Sequence, residues 1–206
     1  MFANMLPITR ALLFGCIGVY LLQMTVGVRM EIYFALWPLD GGAGAPPFQP
    51  WQLITYGFLH DRSNFAHLFF NMFALYMFGS EIERLLGRQR YLIYYFACVI
   101  GAAATQLLVG WLSSGPSAPT VGASGGIFGL LLAFGLAFPR RKLMLLFPPI
   151  PMPAWLFVTL YGVLELVLGV TGTNQGVAHF AHLGGMAAGF VLILVWRARL
   201  RRPGGY

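Results

Sequence analysis

Six side chains stand out because they are polar or ionisable yet lie within long apolar runs: His67, Asn71, Ser124, Glu165, His179 and His182. In a bilayer such groups are costly, so each is a functional candidate by default. Serine is a weak nucleophile until a neighbouring base takes its proton, and a neutral imidazole titrating near neutrality suits that task. Ser124 with His182 therefore spells acyl transfer through a Ser–His dyad. No aspartate lies in any apolar run, and Glu165 is the only carboxylate in them. Phe128, one helical turn after Ser124, is placed to stack on the His182 ring. A developing oxyanion needs donors aimed at it; His67, Asn71 and the Ser124 backbone N–H could supply them. His67 and Asn71 are spaced i, i+4 and share one helix face. His179 shares part of the His182 face and could serve as base. Its place nearer the end of its run favours an interfacial reading.

These residues must be carried by membrane helices. The chain has 206 residues, 58% hydrophobic and 9% charged, against about 25% charged in an ordinary soluble domain. Runs of roughly 18 or more apolar residues are long enough to span a bilayer. Six spans are predicted, at about 9–28, 63–80, 90–112, 122–138, 152–170 and 177–196. Backbone in hydrocarbon must satisfy its own hydrogen bonds, which makes helices the default. The fold class is thus an all-α, six-helix polytopic bundle, one membrane domain over 1–206 without visible repeats. The first run lacks a small-x-small cleavage site and reads as a retained span. Pro139, Pro148, Pro149, Pro151 and Pro153 mark the connection between the fourth and fifth spans. Cys16 and Cys98 both sit in apolar runs, as small hydrophobes.

Eleven of the thirteen Lys and Arg residues fall on one side of this topology. They are Arg10; Arg84, Arg88 and Arg90; Arg140, Arg141 and Lys142; and Arg197, Arg199, Arg201 and Arg202. The positive-inside rule then places both termini in the cytoplasm. The net charge of +7 reports topology and lipid contact, and nucleic acid is excluded as a partner. The first loop, about 29–62, faces outward. Its Trp37, Phe48, Trp51, Tyr56 and Phe58 suit the headgroup zone, so the loop is read as lying partly in the membrane surface.

With this topology the second, fourth and sixth spans all descend from the outer side. His67, Ser124 and His182 then lie roughly 3–8 Å deep, from the rise of 1.5 Å per residue. Gly122, Gly125, Gly126 and Gly129 are expected to cluster away from Ser124. Ala178, Gly185 and Gly189 share the face of His182. Small residues let membrane helices approach closely, so the histidine face of the sixth helix is expected to pack on the serine face of the fourth.

The stretch Gly122-Ala123-Ser124-Gly125 resembles the GxSG motif of the rhomboid intramembrane proteases. Ala181-His182-Leu183-Gly184-Gly185-Met186-Ala187-Ala188-Gly189 is similar to the family's AHxxGxxxG. His67-Leu68-Phe69-Phe70-Asn71 matches HxxxN, and Glu83-Arg84-Leu85-Leu86-Gly87 resembles ExxxG. The resemblance runs over about 30–196 in the family's order. It implies an intramembrane serine endopeptidase with Ser124 as nucleophile and His182 as base, His67 and Asn71 helping to bind the oxyanion, and Phe128 stacked on the base. It further implies substrates that are transmembrane segments of other proteins, unwinding easily and carrying a small residue before the cut. Lateral access would be gated by the fifth helix and the loop before the sixth, and no metal or organic cofactor would be needed. The chain departs from the family in its outer loop, where Trp51-Gln52 stands near the usual Trp-Arg pair. The compact form suggests a bacterial inner membrane, with the site opening outward.

Two rival functions remain: a catalytically inactive rhomboid-like binder of transmembrane helices, and a small transporter. Inactive relatives usually lack the serine or the histidine, and both are present here. A transporter should show repeats, broken helices and midplane charges. Three roles stay open for Glu165: orienting His182, lining a water route, or snorkelling. The expectation is that Glu165→Gln keeps most activity. Glu83 is read as bonding within the cytoplasmic loop, and His60 as structuring the first loop.

Overall fold

The computed structural model describes residues 5–39, 45–112, 118–144, 149–172 and 178–200, with the side chains of 199 and 200 excepted. Pro148, Arg201, Arg202 and segment 173–177 of the loop before the last helix lie outside these residues. The helices are α1 (Pro7–Val26), α2 (Val28–Phe34), α3 (Gln52–Thr55), α4 (Phe65–Leu86), α5 (Arg88–Leu112), α6 (Ser124–Ala137), α7 (Ala154–Thr171) and α8 (His179–Leu200). A 3-10 turn, Tyr56–Phe58, follows α3, and strands β1 (Lys142–Met144) and β2 (Pro151–Pro153) pair antiparallel between α6 and α7. The six long apolar runs thus correspond to α1, α4, α5, α6, α7 and α8. The short hairpin was not expected. Its prolines fit a two-stranded ribbon, where each strand has an unpaired edge.

Four of these helices, α1, α5, α7 and α8, are long and apolar enough to cross a membrane. α6 is apolar but has only 14 residues. α4 has 22 residues, and its apolar run is diluted by His67, Asn71, Glu81, Glu83 and Arg84. Large apolar side chains stand exposed on the bundle's outside, such as Leu21, Leu112 at 68% and Val170 at 71%. A soluble monomer rarely tolerates such a surface.

α4 runs six residues further than its apolar run, and this corrects the reading of Glu83. The carboxylate is buried and accepts from the backbone N–H groups of Ile8 (3.0 Å) and Thr9 (2.8 Å), and from the Thr9 hydroxyl (2.8 Å). It caps the N-terminus of α1, where backbone donors lack intrahelical partners and the helix dipole favours an anion. Gly87, at φ +75°, then ends α4 with its N–H on the Glu83 carbonyl (2.9 Å), a conformation L side chains rarely adopt.

Two aromatics of the outer loop turn inward. Tyr56 does not face the headgroups: it is buried and donates to the Val99 carbonyl at 2.8 Å. Phe58 packs on Phe96, with ring centroids 6.3 Å apart. Trp51 remains exposed, its indole N–H on the Tyr33 carbonyl at 3.0 Å. Gln52 is fully buried; its Oε1 accepts from Trp37 N and Gln49 N (3.2 Å each), and its Nε2 donates to the Tyr33 carbonyl at 3.4 Å. A neutral amide thus ties the loop at the place where the family often carries arginine. His60 does structure the loop: its N–H and C=O pair with the Gln23 side-chain amide at 3.0 Å each.

α6 is the central element, packed by α4, α5, α7 and α8. A Cβ at Gly125, Gly126 or Gly129 would collide with Ala102, Tyr95 or Cys98 of α5. Tyr94 of α5 donates to the Gly129 carbonyl at 2.8 Å. On the other side, Gly185 of α8 faces the Gly125 backbone so closely that any Cβ would strike it. The glycines therefore bring three backbones together around α6.

Candidate active site

The chain is pinned just before Ser124. Leu36 and Thr120 exchange backbone hydrogen bonds (3.0 and 2.9 Å), and Gly122 N–H donates to the Tyr56 carbonyl at 3.0 Å. Gly122 adopts φ +129°, and a Cβ there would lie 2.9 Å from His67 Nε2 and 3.7 Å from Ser124 Oγ. It therefore faces the site, contrary to its expected place with the other glycines on the far side. Ser124 is the first residue of α6, so the N–H groups of the first turn have no intrahelical acceptor and point out of the helix end.

His182 Nε2 stands 2.8 Å from Ser124 Oγ. Its ring lies flat on Phe128, centroids 4.2 Å apart and planes 7° from parallel. Phe128 in turn touches Tyr161 of α7, at 6.2 Å between centroids. The spacing that suggested a hydroxyl, an imidazole and a stacking ring thus corresponds to three groups in contact. His67 Nδ1 accepts from the Asp61 backbone N–H at 3.4 Å, which assigns the ring proton to Nε2, the nitrogen turned toward Gly122. Asn71 is buried, but its amide donates back to the His67 carbonyl of its own helix at 2.8 Å. One of its two N–H bonds is thereby occupied.

Sequence reasoning missed the partner of His179 and left Glu165 undecided. His179 is buried, and its Nδ1 forms a 2.7 Å hydrogen bond with Glu165 Oε2. The same oxygen lies 2.9 Å from His182 Nδ1, at an angle outside hydrogen-bond geometry. Ser124, His182, Glu165 and His179 thus form one line of contacts from α6 through α8 to α7. The i, i+3 spacing of the two histidines, set against the one intramembrane carboxylate, was the available signal. Glu165, His179 and His182 are also a set of donor atoms that could ligate a metal. However, the ligands of a tetrahedral zinc stand about 3.3 Å apart around the ion. Here the carboxylate oxygen itself sits at hydrogen-bonding distance from both imidazoles, which is the spacing of groups sharing protons.

The rhomboid domain profile matches residues 47–199. The chain belongs to the rhomboid family. It is 28% identical over 200 residues to the rhomboid protease GlpG of Serratia proteamaculans, covering 95% of this chain and 64% of that protein. It is 32% identical over 139 residues to rhomboid protein 1, mitochondrial, of Saccharomyces cerevisiae, covering 67% of this chain and 39% of that protein. It is 32% identical over 143 residues to the putative rhomboid protease YdcA of Bacillus subtilis, covering 69% and 65%. This rhomboid chain therefore spans less than two thirds of the length of each of these relatives. With its apolar helices, membership makes it an integral membrane protein.

Proposed function

We propose that this rhomboid is an intramembrane serine endopeptidase that cleaves transmembrane segments of other proteins. The observation that carries the reading is the 2.8 Å contact between Ser124 Oγ and His182 Nε2, with the imidazole held flat on Phe128. In this mechanism His182 Nε2 takes the hydroxyl proton as Oγ attacks the scissile carbonyl carbon. The carbonyl π electrons move onto oxygen, and the oxyanion meets the Ser124 N–H at the start of α6, with His67 Nε2–H beside it. The Asn71 role requires its second N–H, the one not spent on the His67 carbonyl. Collapse expels the amine, protonated by His182, and leaves an acyl-Ser124. Water, deprotonated by the same nitrogen, hydrolyses that ester and regenerates the hydroxyl. Each step uses groups of this chain and water, with no cofactor.

We further propose that all six long helices span the bilayer with both termini cytoplasmic and 1–206 acting as one domain, as the basic residues argue. α7 packs mainly on α8 and α6, which supports it as the element that yields to a substrate helix entering sideways. Of the relatives named above, the one matched over 95% of the chain is bacterial, which favours a bacterial cytoplasmic membrane with the site opening outward. The test is labelling of the purified protein by a fluorophosphonate, together with cleavage of a panel of fluorescent transmembrane substrates. The expected result is labelling and cleavage in the wild type and neither in Ser124→Ala or His182→Ala. A folded wild type that binds transmembrane helices without labelling or cutting would replace the protease by the inactive binder.

A further inference from the structure

A carboxylate on a membrane helix needs a reason to be buried. Glu165 is only 7% exposed, and the groups it meets are His179 Nδ1 at 2.7 Å and His182 Nδ1 at 2.9 Å. An unpaired charge there would cost several kcal/mol, roughly, after relaxation of the surroundings. The two imidazoles are what make it tolerable. They are not equivalent, however. The His179 contact is a formed hydrogen bond, whereas the His182 contact is longer (2.9 against 2.7 Å) and poorly aimed. His182 is also the ring whose other nitrogen meets Ser124.

We infer that Glu165 is a positioning residue for the base, and that His179 is the residue that holds Glu165 in place. The inference rests on the protease reading above and extends its dyad to a Ser–His–Glu triad. A neutral imidazole can accept the serine proton only if the ring proton is on Nδ1. A carboxylate oxygen at Nδ1 selects that tautomer. When Nε2 takes the proton from Ser124, the ring becomes a cation 2.9 Å from Glu165. The contact then closes under charge attraction, so that it is stronger in the transition state than at rest, and an interaction of that kind raises kcat rather than substrate affinity. The proton stays on His182 until it passes to the leaving amine, and Glu165 remains ionised throughout. His179 donates Nδ1–H to the same oxygen and fixes the carboxylate between the two rings. Its own Nε2 is buried with no hydrogen-bond partner among the described residues, so that nitrogen adds no stabilisation and His179's one polar contact is with Glu165. The nucleophile and base come from α6 and α8, but their alignment depends on α7. Any movement of α7 that admits substrate would also weaken the base.

The test uses the full chain in detergent micelles and measures kcat and KM on a fluorescent transmembrane substrate for Glu165→Leu, Glu165→Gln, Glu165→Asp and His179→Asn, with Ser124→Ala as the inactive control. Removing the orienting carboxylate of a serine protease costs up to about 10⁴ in kcat. Because Phe128 also holds this ring, the expected loss for Glu165→Leu is roughly 10²-fold in kcat with KM unchanged within about twofold. Glu165→Asp should recover at least about a tenth of the wild-type rate, and His179→Asn should lose about 10-fold. Should Glu165→Leu fail to fold, the near-isosteric Glu165→Gln gives the answer through proton NMR of the fluorophosphonate-modified protein. The low-field Nδ1–H resonance of His182 should be present in the wild type and lost in that variant. A folded Glu165→Leu or Glu165→Gln within twofold of wild-type kcat, beside an inactive Ser124→Ala, would overturn the positioning role and leave the protease reading standing. A wild type as inert as Ser124→Ala would remove both.

Discussion

Replacing Gly185 by alanine tests whether helix approach sets the catalytic contact. A Cβ at 185 would stand 2.8 Å from the Gly125 carbonyl carbon and 3.2 Å from its Cα, with the carbonyl oxygen nearer still. Carbon–carbon contacts are most favourable at about 3.5–4.0 Å, so α6 and α8 must part by roughly 1 Å. The obstacle is backbone, which cannot rotate aside as a side chain can. Gly125 and Gly185 lie one and three residues from Ser124 and His182, so the displacement passes almost undiminished into the 2.8 Å Oγ–Nε2 contact. Opening it toward about 3.8 Å takes it out of hydrogen-bond range. A misplacement of about 1 Å can cost about 10²-fold in rate, and the overpacking itself should cost about 1–3 kcal/mol of stability. The assay is kcat/KM on a fluorescent transmembrane substrate together with the rate of fluorophosphonate labelling, both normalised to folded protein. Gly162→Ala is the control, since a Cβ there meets only the flexible end of Met186, no closer than 3.6 Å; it should behave as wild type. Gly185→Ala retaining more than about a third of wild-type labelling and cleavage would refute the claim that this glycine contact sets the dyad.

Two further predictions concern stability. Glu83→Gln replaces an anion that accepts three hydrogen bonds at the start of α1 by an amide that presents N–H groups to N–H donors. It should cost about 2–3 kcal/mol, read from thermal unfolding in detergent, with activity per folded molecule unchanged; an unaltered melting temperature would show the cap to be dispensable. Burial, with the nearby His67 adding to it and the Phe58 carbonyl opposing it, pushes the pKa of His60 down from 6.5 to about 4. Between those values the unfolded chain takes up a proton that the folded chain refuses, so stability should fall by about 3 kcal/mol as the pH drops from 6.5 to 4. His60→Gln should flatten that part of the pH–stability curve, and an unchanged slope would refute the assignment.

The contact of Ser124, His182 and Phe128 was legible because its signals are local or share one physical cause. Ser124 and Phe128 are one turn apart, and the small residues around Ser124 and His182 allow close approach wherever the helices meet. The neighbourhood of Glu165 was not legible. Its partners are 14 and 17 residues away on the next helix, beyond the reach of helical periodicity within one element, so orientation, water-lining and snorkelling could not be separated. The positioning role inferred for Glu165 predicts the opposite of the expectation that Glu165→Gln keeps most activity. Glu83 was misread for the same reason: its donors lie some 75 residues earlier, and nothing in the local sequence marks a helix end as another helix's cap. Gly122 was assigned to a face by helical periodicity, but it precedes the helix, and its position follows from a positive φ that periodicity cannot encode. Tyr56 was grouped with interfacial aromatics by composition, whereas its hydroxyl finds a backbone carbonyl inside the bundle.

On the protease reading, the shortness of α6 would let a hydrolytic serine lie within the membrane and still meet water. Fourteen residues at 1.5 Å each span about 21 Å, against roughly 30 Å of hydrocarbon. On the six-span reading the deficit must fall at one end. The C-terminal end leads directly into Arg140, Arg141 and Lys142, with Arg141 against the rings of Phe134 and Phe138 and paired with Glu81. On the same reading those cations hold that end at the cytoplasmic interface. The missing length, about 9 Å, therefore lies above Ser124, slightly deeper than the 3–8 Å inferred from the apolar runs. The longer helices α4, α5 and α8 pack around α6. At the start of α6 the first-turn N–H groups lack intrahelical acceptors. Ordinary membrane helices avoid exposing such donors in hydrocarbon; here they are the groups an oxyanion requires. On the six-span protease reading the same truncation would create both the space for water and the electrostatics of the site, and lengthening α6 by one turn before Ser124 should remove both.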